Sequence, residues 1–485
     1  MGKYSRGISI LVSIAMICSL VACGSNSNSG QTVSKTDGSN ISELSENADK
    51  NSDSEAYSDE SGTVGESSSN KTDYSGQSLV IWTNLTADAQ YEVLQKQFSE
   101  LANEMGITVT VEKVAFNEMY QKLATAASSG DVPDIMHTNF GGTAYLYASD
   151  SIMPLDDVVN EIGRSDFSDA YLTVLSGKDG KVYGLPDWAM HTSVWYRKDL
   201  FADKNLKIPT NWDEFETTAK AVTTDSVSGF SVPLDGVQVA AQTLYEFMCT
   251  AGVYFMDPNT GEYCFDKEKD KAVKVIQYLM NLYNEVSPAG SLAWSWGDYR
   301  NAFVEGSVAM TFDMGAVIGN AQTNNPDMVS NIGCFDMPGP DGQATSSFGS
   351  GYCFVASNQK DDVRKQLVSD FLKALYTPNR AAERALSRPM FAFPSYKPAF
   401  DIYKDDPSVA DFQEEVDTIF NAFETSKWYW YGMEHGLSAM SAYIESTTIF
   451  GEALQGACNG TYSAEEAYDL INDDLQSQAE ILADE

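Results

Sequence analysis

The sequence predicts an α/β protein of two lobes carried behind an export leader, and three observations predict it. The chain's body opens on alternating strand and helix patterns, it is too long for one core, and a polar low-complexity segment separates it from an apolar N-terminal run. The body spans residues 78–485, 408 in all. One hydrophobic core rarely organises more than about 250 to 300 residues, so two lobes are expected.

Each element follows from local pattern. Leu79-Val80-Ile81-Trp82 is a short apolar strand. It runs into a capping segment and a helix carrying Tyr91, Leu94, Phe98 and Leu101 at helical spacing, ended by Gly106. Ile107 to Val111 is β-rich, Asn117 to Ser129 a second helix, and Asp134-Ile135-Met136 a third strand. This β-α-β-α-β order predicts a largely parallel sheet, with ligands beyond the carboxyl ends of its strands, after Trp82 and after Met136. Lys181 to Pro186 and Ser193 to Tyr196 read as strands that mark the crossing into the second lobe. At Pro209 to Phe215, Asn211 caps a helix and Glu214, three residues on, completes a capping box, which makes Trp212 structural. Helices follow at Ala240 to Thr250, Lys267 to Asn284 and Trp296 to Glu305. Val308 to Phe312 and Gly351 to Val355 are strands, and the tail beyond Lys360 reads mainly helical. No internal repeat is present.

Ahead of the body, Lys3 and Arg6 precede about ten mostly apolar residues, Ile8 to Ile17, the length of a signal-peptide core and too short to span a bilayer. Leu20-Val21-Ala22-Cys23 then reads as a lipoprotein cleavage site, so residues 1–22 are a signal and Cys23 carries lipid. From Gly24 to Gln77 almost no large apolar residue occurs, and such a segment cannot offset its ordering entropy by burial. It is expected to be a disordered tether with a reach of roughly 40 Å.

The net charge is −38, of which the leader carries +2 and the tether −7, leaving −33 on the body. That excludes a phosphate-binding surface, and with it nucleic acid as a partner. Of seven cysteines, Cys18 leaves with the signal and Cys23 takes lipid. Cys249, Cys264, Cys334, Cys353 and Cys458 remain, an odd number that implies no disulfide framework, although Cys249 with Cys264 or Cys334 with Cys353 could pair. The body's three histidines, His137, His191 and His435, have no zinc-ligand spacing. Neither a nucleophile elbow, a phosphate loop nor a dinucleotide fingerprint stands in its required setting, so no catalysis, metal or cofactor is expected. Asp266 with Asp270 reads as a solvated helix face, and Asp341-Gly342 as a turn.

Several collinear motifs carry a resemblance. They are Leu79 to Trp82; Ala126-Ala127-Ser128-Ser129-Gly130-Asp131-Val132-Pro133-Asp134-Ile135; Ile152 to Asp156; Asp179 to Pro186; Trp195 to Phe201; Pro209 to Phe215; and Phe303 to Met310. In these the chain resembles the extracellular solute-binding proteins of bacterial ABC transporters, family 1, the carbohydrate-binding type that includes the maltose-binding protein. The resemblance covers nearly all of residues 78–485. It implies the periplasmic-binding-protein type II, or Venus-flytrap, fold: two α/β lobes with mixed, mostly parallel sheets and a multi-strand hinge. Lobe 1 is expected at residues 78–187 and about 312–350, lobe 2 at about 188–311 and 351–485. The implied partners are a carbohydrate, an oligosaccharide, then permease subunits and the membrane through Cys23, with the chain a monomer on the outer face of the cell membrane. Many members place a sugar-stacking Trp just beyond a Gly after the Ala309-Met310 strand, whereas here Gly315 is followed by Ala316-Val317-Ile318. Trp294 and Trp296, before that motif, are the replacements to expect.

A sugar offers hydroxyls around its rim and a C–H-rich face, so its site needs short polar side chains and planar aromatics. Asn84 and Asn139 follow the first and third strands, with turn or helix capping as their alternative roles. Asp187 and Trp188 stand just beyond Tyr183 to Pro186, where the resemblance implies that the chain crosses the cleft, and Asp313 and Tyr352 at strand ends near the implied hinge. Trp428-Tyr429-Trp430-Tyr431 cannot all face one core, because adjacent side chains diverge in helix and strand alike, which makes Trp428 and Trp430 cleft candidates. Open alternatives are a binding protein for a non-sugar solute, a lipid-anchored sensor, and a glycan-acting enzyme.

Overall fold

The computed structural model describes residues 72–484 apart from 86, 116, 117, 237, 343, 345 and 426; the leader, Cys23 and almost all of the tether lie outside it. Among the described residues, ten strands form two sheets. They are β1 (Ser78–Thr83), β2 (Thr108–Lys113), β3 (Ile135–Asn139), β4 (Leu185–His191), β5 (Ser193–Arg197), β6 (Met310–Asp313), β7 (Ile332–Phe335), β8 (Ser346–Ala356), β9 (Phe393–Pro394) and β10 (Lys427–Tyr429). The larger sheet has the order β2-β1-β3-β8-β4-β9, with β10 added alongside β8; the smaller has the order β6-β5-β7.

The opening β-α-β-α-β unit forms as its pattern dictates. Helix Asp88–Met105 buries Leu94, Phe98 and Leu101 and stops at Gly106, whose φ of 69° suits glycine. β1 pairs in parallel with β2 and β3, setting Trp82 beside Met136. The parallel share is nevertheless smaller than expected. β8 runs antiparallel to both β3 and β4, β9 antiparallel to β4, and every pairing in the smaller sheet is antiparallel. The sheets are therefore mixed rather than mostly parallel, because β8 and β9 return to the first sheet from far along the chain.

That return also moves the lobe boundaries. β6 and β7 pair with β5, so residues 312–335 belong with the second lobe's sheet rather than with lobe 1. Conversely, β8 joins β3 and β4, and helices Asp362–Leu375 and Pro378–Leu386 pack on helix Asp88–Met105, so residues 351–386 belong with the first lobe. Helices Ile449–Cys458 and Ala464–Asp484 pack on Gln238–Thr250 and Lys269–Val286 and complete the second. Only Thr192 separates β4 from β5, so the two sheets are joined there by a direct strand-to-strand passage.

Two local expectations change: the strand expected at Lys181 to Pro186 begins only at Leu185 and runs on to His191, and the Asn211 cap lacks its reciprocal bond. Asn211 accepts from the Glu214 amide at 2.9 Å, but the Glu214 carboxylate turns to the Thr210 amide and hydroxyl, each at 2.8 Å. Trp212 is structural: it donates to the Pro338 carbonyl at 2.8 Å and stacks on Tyr278. The cysteines at 249, 264, 334, 353 and 458 are all free thiols. No helix of the described residues is long and apolar enough to cross a membrane.

Candidate binding cleft

Two adjoining cavities, about 280 and 140 Å³, share Met190, Gln242, Met314, Arg388 and Phe391 and form one cleft between the lobes. Its first wall comes from the ends of β3 and β4, the middle of β8 and the loop after helix Pro378–Leu386. Its second comes from helices Gln238–Thr250 and Trp296–Val304 and the end of β6.

On the second wall, Asp313 ends β6 and is fully engaged. One oxygen accepts from the Val317 amide at 3.1 Å and so holds the start of helix Ala316–Asn324; the other accepts from the Tyr299 hydroxyl at 3.0 Å and Arg300 Nε at 2.5 Å. Burial disfavours the charge on Arg300, which lines the cavity, but the Asp313 carboxylate outweighs it and raises the guanidinium's already high pKa. Trp296 lies on the same wall with Nε1 donating to Gln242 Oε1 at 2.9 Å.

On the first wall, Trp188 stacks on Tyr352 with centroids 4.4 Å apart and meets Phe391 at a tilt. Trp430 stacks on Phe348. Asn139 does both things open to it: Oδ1 caps helix Phe140–Ala148 through the Gly142 amide at 3.1 Å, and the residue lines the cleft. Its Nδ2 reaches Glu445, whose carboxylate lies over that helix's first turn. Gly141 makes room there, since a Cβ would fall 2.2 Å from Glu445 Oε2.

The loop carrying Arg388 and Phe391 is held firmly. Met390 is fully buried at φ 64°, an uncommon conformation for a side chain of its size, with its amide donating to Tyr403. Its carbonyl approaches Gly315 so closely that a Cβ there would sit 1.7 Å away. Gly315, at φ 95°, is thus required by both conformation and contact. Ala316, Val317 and Ile318 beyond it are buried and supply no aromatic to the cleft; Trp296 and Phe391 do.

Four residues lining the cleft carry buried polar atoms without a hydrogen-bond partner among the described residues: Gln90 Nε2, Thr192 Oγ1, Glu246 Oε2 and Trp430 Nε1. Such groups cost free energy unless a ligand or water satisfies them, and they mark a site for something polar. Burial, with Asp336 adding to it, pushes the Glu246 carboxyl well above the usual range.

Asn139, Trp188, Trp296, Asp313, Tyr352 and Trp430, all expected from sequence, therefore line the cleft. Asn84, Asp187 and Trp294 do not. Asn84 is buried behind the wall, donating to Met119 Sδ. Trp294 ends a short helical turn away from the cavity. Asp187 sits in the core, because a bulge between Pro186 and Trp188 turns it away from its neighbour. There it meets Arg384 Nε at 2.6 Å and His137 Nε2 at 2.9 Å. Burial lifts the Asp187 carboxyl, but Arg384 and His137 outweigh it and hold the group below the usual range. Trp428 lies in β10, and its side chain falls outside the description. Gln90, Gln242, Arg300, Arg388 and Phe391 were not anticipated. No group of His, Cys, Asp and Glu among the described residues could hold a metal ion.

Residues 94–411 match the family described as bacterial extracellular solute-binding protein. A binding protein of Brucella abortus is 26% identical over 302 residues, 60% of this chain and 71% of the relative. The diacetylchitobiose-binding protein of Streptomyces coelicolor is 25% identical over 324 residues, 62% of this chain and 71% of that one. Among solved structures, an ABC transporter solute-binding protein from Agrobacterium radiobacter in complex with ribitol superposes with a TM-score of 0.67 at 21% identity, covering 85% of this chain and all of the other. The fold is thus the two-lobed one of binding proteins.

Proposed function

The chain belongs to the bacterial extracellular solute-binding proteins, and from that premise we propose that it captures a carbohydrate, an oligosaccharide, between its lobes and delivers it to the permease of an ABC transporter. The observation that carries this reading is the cleft itself, where aromatic planes and unpartnered amide, hydroxyl and indole groups converge from both lobes. Stacked Trp188 and Tyr352, with Trp430, suit the C–H face of a sugar; Gln90, Asn139, Gln242 and Thr192 suit its rim. The relative from Streptomyces coelicolor, named for diacetylchitobiose, agrees in ligand class.

Capture works by population shift. Contacts from both walls exist together only when the lobes are closed, so ligand favours that state by its differential affinity. The protein performs no catalysis and acts as a monomer. Lipid on Cys23 tethers it to the outer face of the membrane, keeping it near the permease at high effective concentration.

A glycan-panel thermal-shift screen, followed by calorimetry, tests the ligand class. At least one neutral or acidic oligosaccharide should raise the melting temperature. A panel in which only amino acids or polyamines do so removes the carbohydrate assignment. Mass spectrometry of a bound glycan after long incubation should return it intact; cleavage would make the protein an enzyme. Substituting Cys23→Ala should release the protein from the membrane fraction.

A further inference from the structure

The charge of the cleft is unlike that of the body around it. In a chain of net charge −38, two guanidinium groups line this one cavity. Arg300 is neutralised by Asp313. Arg388 has no hydrogen-bond or ion-pair partner for its side chain among the described residues, and it lines both halves of the cleft. The acids nearby do not answer it. Burial pushes the Glu246 carboxyl well up, Asp313 bonds Arg300 directly and reaches Arg388 only at longer range, and Glu445 is taken up at the first turn of helix Phe140–Ala148. Partial burial and then the neighbouring Arg300 lower the pKa of Arg388, and Asp313 and Tyr352 oppose them without cancelling them. A cation so placed, in a molecule rich in unused carboxylates, is retained at a cost unless a ligand brings the counter-charge.

We propose that the ligand is an acidic saccharide bearing a carboxylate, of the uronate class, and that Arg388 is the residue that binds this carboxylate. The inference rests on the carbohydrate reading above and specifies it.

The geometry favours a carboxylate. The guanidinium carbon of Arg388 lies 3.5 Å from the centroid of the Phe391 ring. That stacking fixes the fork by its face and leaves its N–H edges free, the arrangement a planar carboxylate meets with two parallel hydrogen bonds. The backbone beneath is pinned, with the Phe391 and Ala392 amides donating to the Arg388 carbonyl and Met390 locked as described. Little ordering remains to be done on binding. Trp188 stacks on Tyr352 and meets Phe391 at a tilt, so a sugar ring seated on this aromatic platform lies beside the guanidinium that Phe391 carries. Strong net negative charge on the body disfavours polyanions, which points to short saccharides with a single acidic residue.

Calorimetry with the full chain tests this using disaccharides in matched pairs: a neutral hexose terminus against its uronate, with sulfated and phosphorylated counterparts as further arms. The uronate member of at least one pair should bind tighter than its neutral twin by roughly tenfold or more, with the advantage shrinking as salt is raised. Arg388→Gln should collapse that ratio to about one, and Arg388→Lys should restore part of it without the bidentate geometry. Equal or tighter binding of the neutral member in every pair that binds overturns the proposal, as does a ratio that survives Arg388→Gln. Preference for the sulfated or phosphorylated arm overturns the carboxylate. Should Arg388→Gln fail to fold, the Arg388→Lys ratio and the salt dependence of the unmodified protein decide. If no glycan binds while amino acids or polyamines do, the carbohydrate reading itself falls.

Discussion

Two acid–arginine pairs in this molecule use the same chemistry for opposite ends. In the first lobe, Asp187 and Arg384 are 0% and 2% exposed, and the guanidinium is further taken up by Gln97 Oε1 at 2.9 Å and the Leu375 carbonyl at 3.0 Å. In the second, Asp313 is equally buried, but Arg300 is 18% exposed and fronts the cleft. The closed pair ties β4 to the helix Pro378–Leu386 and to helix Asp88–Met105; the open pair holds a donor ready for something not yet bound. What differs is exposure to the cleft, not the number of donors left over, since Arg384 Nη2 is also without a partner among the described residues; exposure separates scaffold from site better than residue type does.

The comparison is broken most severely at the closed pair. Arg384→Met leaves the Asp187 carboxylate buried with only His137, an imidazole whose pKa burial lowers. Stability to chemical denaturation should fall by about 3 to 5 kcal/mol, with ligand affinity of the folded fraction little changed. A loss below about 1 kcal/mol would show that the network is not a structural tie.

Glu434 sharpens the comparison by showing a buried acid with no cation. Burial raises its carboxyl to about 7, against the pull of the Tyr245 hydroxyl and the backbone amides that bond it. The folded state therefore holds its proton more tightly than the unfolded chain, whose carboxyl has the ordinary value of 4.5. This contribution is fully present below that ordinary value and is lost as pH rises through the folded one, a change of about 3 kcal/mol. Glu434→Gln removes it. The stability difference between unmodified protein and variant should widen in the variant's favour from pH 5 to pH 8, read by denaturant titration at each pH; a constant difference sinks the assignment.

At the open pair the outcome reverses. Arg300→Met leaves Asp313 with the Tyr299 hydroxyl and the Val317 amide, so the fold keeps its anchor. Affinity for the cognate ligand should weaken by about 1.5 to 3 kcal/mol, the worth of a charged hydrogen bond, while the melting temperature moves little. Equal losses in stability and affinity would erase the distinction between the two pairs.

How far the sequence displays all this depends on the range of the interaction. The first sheet's opening unit is legible because each element is set by neighbours a few residues away, as with Leu94, Phe98 and Leu101 on one helix face. The membership of β8 is not, since its partners in β3 and β4 lie more than 150 residues earlier and no local pattern names them. The lobe boundaries fail for the same reason. Trp188 and Tyr352 are recognisable as aromatics at strand positions near a crossing, but the bulge that parts Trp188 from Asp187 depends on pairing with β8. Arg388 and Phe391 are hidden because the tail reads as helix. The one local sign is Pro389, which interrupts that reading and leaves an Arg and a Phe flanking a turn.

The smallest effect tests the open wall at its edge. Trp296 touches Gln242 through a single hydrogen bond from Nε1, and both residues line the cleft. Trp296→Phe keeps an aromatic plane but frees the Gln242 carbonyl, which can then rotate away from the position a ligand hydroxyl needs. The lost bond is worth about 1 kcal/mol, so affinity should fall about fivefold with no measurable change in melting temperature. Trp296→Ala removes the plane as well and should cost more. If the two substitutions weaken binding alike, the indole N–H rather than the ring is what Trp296 contributes; if neither does, the open wall ends at Arg300.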